Sequence, residues 1–138
     1  MQSLARREYS RAELYAKLLP HALEGDDVDA VLDALAVRGW LSDERAADQL
    51  VNQRRGRFGV QRIVRELKQK GIGDELIGAV LPQLKQAELE IARAVWQKKF
   101  ASPPKDQKEK TRQMRFLQSR GFSMDVVFKV LRLAGAEE

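Results

Sequence analysis

Along most of this chain, apolar residues recur at the three- and four-residue spacing that lines one face of a helix. Leu14 and Leu18 are four apart, as are Ile63 and Leu67, and Leu76, Ile77, Val80, Leu81 and Leu84 fall on a single stripe. The one stretch with the β-branched density of a strand is Val126-Val127-Phe128-Lys129-Val130-Leu131, and its relation to an earlier segment argues for helix. Shifted by 50 positions, Leu67, Lys70, Gly71, Ile72, Leu76, Ile77, Val80 and Leu81 fall on Leu117, Arg120, Gly121, Phe122, Val126, Val127, Val130 and Leu131. Shifted by 49 the other way, Ile63, Leu67, Ile72, Ile77, Val80, Leu81 and Leu84 fall on Leu14, Leu18, Leu23, Val28, Val31, Leu32 and Leu35. A period near 49 means three copies of one supersecondary unit.

Polar punctuation divides each copy into three helices. Ser10-Arg11-Ala12-Glu13 is a capping box, in which the Ser hydroxyl accepts from the third helical N–H while Glu reaches back. Ser42-Asp43-Glu44 and Ser123-Met124-Asp125 put hydroxyls and carboxylates where first-turn N–H groups need acceptors. Gly39, Gly71 and Gly121 each follow Arg or Lys and precede Trp40, Ile72 or Phe122. That is the pattern of a helix ended by a left-handed glycine, with the next apolar residue folded back on the last turn. Helices are expected near residues 2–8, 11–19, 27–38, 43–56, 60–70, 74–84, 86–100, 106–120 and 124–133. The expected fold is all-α, a tandem repeat of three three-helix units forming an elongated, curved array, with units at 1–41, 42–85 and 86–138. The first helix is short for its repeat, so the chain is expected to begin inside a unit. Ala101-Ser102-Pro103-Pro104-Lys105 is the one expected flexible link, because two prolines forbid helix continuation, and Gly135-Ala136-Glu137-Glu138 is expected to fray.

Composition removes several function classes. The 138 residues contain no Cys and one His, His21, which excludes disulfides, thiolate nucleophiles and multi-His metal sites. A Ser–His–Asp triad would have to use His21, and no Ser-containing elbow motif is present. Asp26, Asp27, Asp29 and Asp33 are close in sequence, but Mg²⁺ usually needs carboxylates converging from separate elements. Asp26 and Asp27 read instead as favouring a helix N-terminus, with the others on its wet face. No G-x-x-x-x-G-K-[ST] phosphate loop occurs. No catalytic residue, metal or cofactor is therefore expected. No run of about 18 apolar residues is available to span a bilayer, and the N-terminus lacks the apolar core of a signal peptide. A cytoplasmic protein without a membrane partner is expected.

Charge points to binding. The net charge is +5, but it is uneven: residues 1–50 hold 6 Lys/Arg against 10 Asp/Glu, and residues 51–138 hold 19 against 10. Arg54, Arg55 and Arg57 crowd the end of one expected helix, and Arg62, Arg65 and Lys68 recur at spacings of three along the next, opposite Ile63 and Leu67. The equivalent helix of the third copy carries Arg112, Arg115 and Arg120, with Lys105, Lys108 and Lys110 before it and the basic pair Lys98-Lys99 further upstream, whereas the first copy has only Arg11 and Lys17 there. One Arg-rich helix is usually a solvated face. Repetition in two copies favours a face for a polyanion or an acidic partner, built from Arg54, Arg55, Arg57, Arg62, Arg65, Lys68, Lys98, Lys99, Arg112, Arg115 and Arg120. Tyr9, Phe58 and Phe100 each follow a basic pair; base stacking would need them exposed, and a core or inter-helix joint is the favoured role. Trp40, Phe122 and Phe128 are assigned to the core, and Trp96 has no decisive context.

Longer stretches resemble a known family. Leu4-Ala5-Arg6-Arg7-Glu8-Tyr9-Ser10-Arg11-Ala12-Glu13-Leu14 resembles the opening of bacterial RecX proteins, which modulate the RecA recombinase. Val31-Leu32-Asp33-Ala34-Leu35 with Gly39-Trp40-Leu41-Ser42-Asp43, then Arg62 through Ile72, then Arg115 through Ser123, continue the likeness in order over nearly the whole chain. The resemblance implies tandem three-helix repeats, in agreement with the period of 49. It also implies a partner, the RecA filament on single-stranded DNA. RecX-like proteins lie along the filament groove, bridge neighbouring subunits and block or reverse growth. Strand exchange, ATP hydrolysis and LexA-directed coprotease activity then fall, and with them the SOS response and recombination. Some members bind DNA directly, so single- or double-stranded DNA is a further implied partner, and a monomer is expected. By the same resemblance, the segment that precedes the first repeat in that family is expected to be short or missing here. From the residues alone two other classes stay open: a basic helical-repeat DNA-binding protein, and a scaffold for an acidic protein, neither involving RecA.

Overall fold

The computed structural model describes residues 6–136. Among them it contains seven α-helices and no strand: α1 (Arg11–Leu18), α2 (Val28–Val37), α3 (Asp43–Arg54), α4 (Val60–Gln69), α5 (Asp74–Lys99), α6 (Gln107–Ser119) and α7 (Met124–Ala136), with a 3-10 turn, Leu19–His21, directly after α1. The β-branched stretch at 126–131 lies inside α7, as its repeat partner required.

The caps explain most boundaries. The Ser10 hydroxyl accepts from the Glu13 N–H at 3.0 Å while the Glu13 carboxylate accepts from the Ser10 N–H at 2.9 Å, which completes the capping box of α1. Ser42 accepts from the Arg45 N–H at 3.1 Å and Ser123 from the Val126 N–H at 3.4 Å, opening α3 and α7. Asp27 and Asp106 cap α2 and α6 in the same way. At the other ends Gly39, Gly71 and Gly121 have φ of 77°, 80° and 90°. Each donates three residues back, and the next residue donates five residues back: Trp40 to Leu35, Ile72 to Leu67, Phe122 to Leu117. These are three Schellman caps.

Several expectations change. The helices expected at 74–84 and 86–100 are one 26-residue helix, α5. Pro82 inside it costs one backbone bond to the Gly78 carbonyl, but Lys85, Gln86, Ala87, Glu88 and Leu89 are all good helix formers and nothing there supplies a stop. The helix expected at 2–8 is absent from Arg6 to Glu8, and its earlier positions lie outside the described residues. The Ala101–Lys105 link breaks the helix as expected, yet it is tied down, since the Ser102 carbonyl accepts from Gln113 Nε2 at 3.2 Å. Gly135 and Ala136 are helical, and the remaining fraying positions lie outside the described residues.

By their contacts the described residues form two compact units. One comprises the chain up to Gln53 together with Glu66–Ile77; the other comprises Arg54–Arg65 and the chain from Gly78 onward. In the first, Leu32, Leu41, Ala46, Ala47, Leu50, Leu67 and Ile72 are buried. In the second, Ala92, Trp96, Leu117, Phe122, Val127, Val130, Leu131 and Ala134 form one cluster. Trp96 acquires a role there: its indole N–H donates to Gln113 Oε1 at 2.7 Å, which satisfies both groups.

Phe122 is in the core, but Trp40 is 62% exposed and Phe128 46%, so two of the three aromatics assigned to the core are not there. Position 128 is one residue past buried Val127, a third of a turn off the apolar stripe, and its counterpart 50 positions back is the exposed Gly78. Trp40 makes its cap through the backbone alone, and the indole remains outside with the Arg38 guanidinium 5.7 Å from the ring centre.

Candidate functional site

The second unit gathers most of the predicted cations around aromatic rings. Phe58 sits at the turn between α3 and α4, half-buried, two residues before the first residue of α4. Four guanidiniums surround its ring: Arg62 at 4.1 Å from the centroid, Arg57 and Arg120 at 5.5 Å, and Arg54 at 5.9 Å. Arg120 continues the cluster, lying 5.1 Å from the Phe116 ring, which also carries Lys99 at 5.5 Å. Phe116 meets Phe100 edge to face at 5.3 Å, and Arg112 lies 5.5 Å from Phe100. A cation–ring contact contributes about 0.5–1 kcal/mol where exposed and more where desolvated.

Backbone contacts hold this cluster in place. The Gly59 N–H donates to the Arg120 carbonyl at 2.7 Å and the Gln61 N–H to the Gly121 carbonyl at 3.1 Å, so the orphan donors of the α4 N-terminus meet the orphan acceptors of the α6 C-terminus. A Cβ on Gly59 would lie 2.4 Å from the Gly121 carbonyl oxygen, and one on Gly121 would lie 2.3 Å from the Arg62 Cβ. The close approach brings Arg62 and Arg120 to one ring. The first unit repeats the joint 49–50 positions away: Ser10, at the start of α1, donates from its hydroxyl to the Lys70 carbonyl, and Gly71 abuts the Ala12 Cβ.

Arg55, Arg65, Lys98 and Arg115 are exposed and make no ion pair among the described residues. Arg115 and Arg112 line an open groove of about 910 Å³ with Lys105, Lys108, Phe100 and Pro103. Asp106 and Glu109 also line it, but Asp106 caps α6 and Glu109 pairs with Arg112 at 3.4 Å. Lys68 is exposed on α4 and belongs to the first unit. Ile63 and Leu67 are buried, as the spacing required.

Sequence reading placed Phe58 at a joint, where it is, but missed that the ring organises arginines. The signal was present as Arg54, Arg57 and Arg62 flanking one Phe, yet Arg120 joins only in three dimensions. Phe116 was overlooked because nothing in the repeat marks it. The acidic run resolves as capping and pairing: Asp27 caps α2, Asp26 accepts from the Leu23 N–H at 2.6 Å, and Asp29 and Asp33 both pair with Arg11. Among the described residues no three metal-ligating side chains gather, and no helix is long and apolar enough to cross a membrane.

Fold and face together define a class, an all-helical tandem-repeat protein with a cationic, ring-backed surface. Two family models match the chain: RecX, second three-helix domain, over residues 42–81, and RecX, third three-helix domain, over residues 86–131. It is 50% identical over 137 residues to Regulatory protein RecX of Leptothrix cholodnii, covering 99% of this chain and 87% of that protein. Regulatory protein RecX of Ralstonia pickettii is 45% identical over 135 residues, covering 98% and 84%. The crystal structure of RecX from Lactobacillus salivarius has the same fold, with a TM-score of 0.76 over 94% of this chain and 88% of that one at 17% sequence identity. This chain belongs to the RecX family.

Proposed function

We propose that this chain is a non-catalytic negative regulator of the RecA recombinase. It binds the filament that RecA forms on single-stranded DNA and inhibits its growth, and with it ATP hydrolysis, strand exchange and LexA coprotease activity. The observation that carries the reading is the set of four arginines around Phe58, joined through Arg120 to the rings of Phe116 and Phe100. A filament groove presents DNA phosphates and protein carboxylates, and both are recognised by guanidinium forks. A helical repeat supplies such a surface without a large core. The relatives' name, Regulatory protein RecX, supports a regulatory rather than a catalytic role.

The test is RecA ATP hydrolysis on single-stranded DNA with this protein titrated well below the RecA concentration. Inhibition at that low ratio is expected, because one molecule acts on many subunits. Full hydrolysis at equal concentrations, with helicity verified by circular dichroism, overturns the reading. Arg55, Arg65, Lys98 and Arg115, unpaired among the described residues, favour direct DNA contact as a second reading. Binding to naked single strands would then weaken with salt, with a logarithmic slope of about −0.7 for each phosphate neutralised.

A further inference from the structure

The first unit is acidic as a whole, yet it encloses a basic cavity. A cleft of about 400 Å³ is lined by Tyr9, Trp40 and Leu14 with Arg6, Arg7, Arg45 and the carboxylate of Glu8; Arg7 also pairs with Glu13 at 3.0 Å, which leaves Arg6 as the lining cation outside the ion pairs of the described residues. Glu8 is already held, accepting from Arg45 Nε at 3.2 Å, and Arg45 also donates to the Gly39 carbonyl at 2.8 Å. Both aromatic rings carry cations: Arg7 lies 4.4 Å and Lys17 5.0 Å from the Tyr9 centroid, and Arg38 5.7 Å from that of Trp40. The field shows in Tyr9 itself, whose phenol is held below its ordinary range by a hydrogen bond from Lys17 and the charges of Lys17 and Arg7. Trp40 is 62% exposed although its backbone completes a helix cap, and a Cβ on the adjoining Gly39 would meet nothing within 4 Å, so this wall is open.

We infer that this cleft is a second nucleic-acid contact, in which Trp40 stacks on an unpaired base and the arginines take the adjoining phosphate. Two aromatic side chains interleaved with cations around one small cleft match the stacking platform and electrostatic funnel of single-strand binders. Its volume falls within the range of small-ligand pockets. An acidic peptide would use the cations but would leave the indole face without a partner. The inference deepens the proposed function, because a regulator seated on a filament would gain a hold on the DNA strand itself. It does not depend on the arginine cluster of the second unit.

Intrinsic fluorescence separates the two tryptophans, since Trp96 is buried and hydrogen-bonded to Gln113. Titrating a short oligothymidylate into the whole chain without RecA should quench the exposed component saturably. W40A should lose that quench and bind about five- to a hundredfold more weakly, the range of losing one stacked base, with an unchanged circular dichroism spectrum. W40F should recover part of the affinity, which a purely structural role would not predict. The inference fails if wild type does not bind the oligonucleotide, if W40A binds it equally, or if a polyglutamate of equal charge quenches Trp40 as strongly. In a parallel RecA assay, inhibition by wild type without oligonucleotide quenching sinks this cleft and leaves the regulatory reading standing. Quenching without inhibition does the reverse.

Discussion

Glu88 is buried on α5 and accepts from the Val60 N–H at 2.9 Å, so a side chain caps the first turn of α4. Burial raises its carboxyl above the ordinary range, and the Val60 hydrogen bond and the Lys85 charge only partly offset this. A raised folded value gives stability that is complete below the unfolded value and is lost as pH rises through the folded one. E88Q keeps the acceptor and removes the ionisation, so its melting temperature should exceed that of wild type at neutral pH, with the gap closing in acid. Glu13 has the opposite sign. Burial alone would raise it, but the Ser10 N–H, the Lys70 ammonium and the Arg7 guanidinium together outweigh that and hold it low. Its contribution is present above the ordinary carboxylate range and is lost as pH falls through the depressed value. E13Q should therefore cost about 1–2 kcal/mol at neutral pH and less in acid, read from denaturant melts of both variants across pH. Neither behaviour was visible in the sequence. The Ser10–Glu13 spacing announced the cap, whereas Lys70 reaches Glu13 from 57 residues away.

At the level of elements, local chemistry was nearly sufficient. Three Schellman caps, the capping box and the serine caps all form where short-range patterns placed them, because such motifs are closed within about six residues. Glycines show where local reasoning ends. The sequence separates Gly121, between Arg120 and Phe122, from Gly78 inside a helix, but only the structure shows that Gly78 has open space at its Cβ position while Gly121, at φ 90°, abuts Arg62. G78A should stabilise by about 0.5–1 kcal/mol. G121A should destabilise by about 2–4 kcal/mol, from left-handed strain plus overpacking. Urea melts of the two variants check both signs, and equal effects would mean that the joint between the α4 N-terminus and the α6 C-terminus is looser than described. The continuity of α5 through residue 85 was missed for a related reason: a repeat boundary is a boundary in ancestry and need not be a turn when the residues across it all favour helix.

Over the whole molecule, the charge asymmetry read from the sequence maps onto the proposed binding surface only after folding selects among the cations. Arg62 is half-buried against Phe58 and Gly121, so reversing it perturbs the fold as well as binding. Arg55, Arg65 and Arg115 are exposed and serve as the cleaner set. R55E/R65E/R115E should keep full helicity, weaken RecA–DNA filament binding, and reduce the salt slope on naked single strands by about 2; fluorescence anisotropy over a salt series reads both. Unchanged affinity in a folded triple variant would remove this face from the proposal. The sequence by itself determined most of the helices, their caps, the repeat and the sign of each region's charge, because these are set by neighbours within a turn or by composition; the continuity of α5 was not among them. Only the tertiary structure decided which cations share a ring, that Arg120 joins Phe58 across 62 positions, that Trp40 stays in water while Phe122 does not, and that an acidic unit holds a basic cleft. Those outcomes depend on which helix end meets which, and the period of the chain leaves that choice to packing.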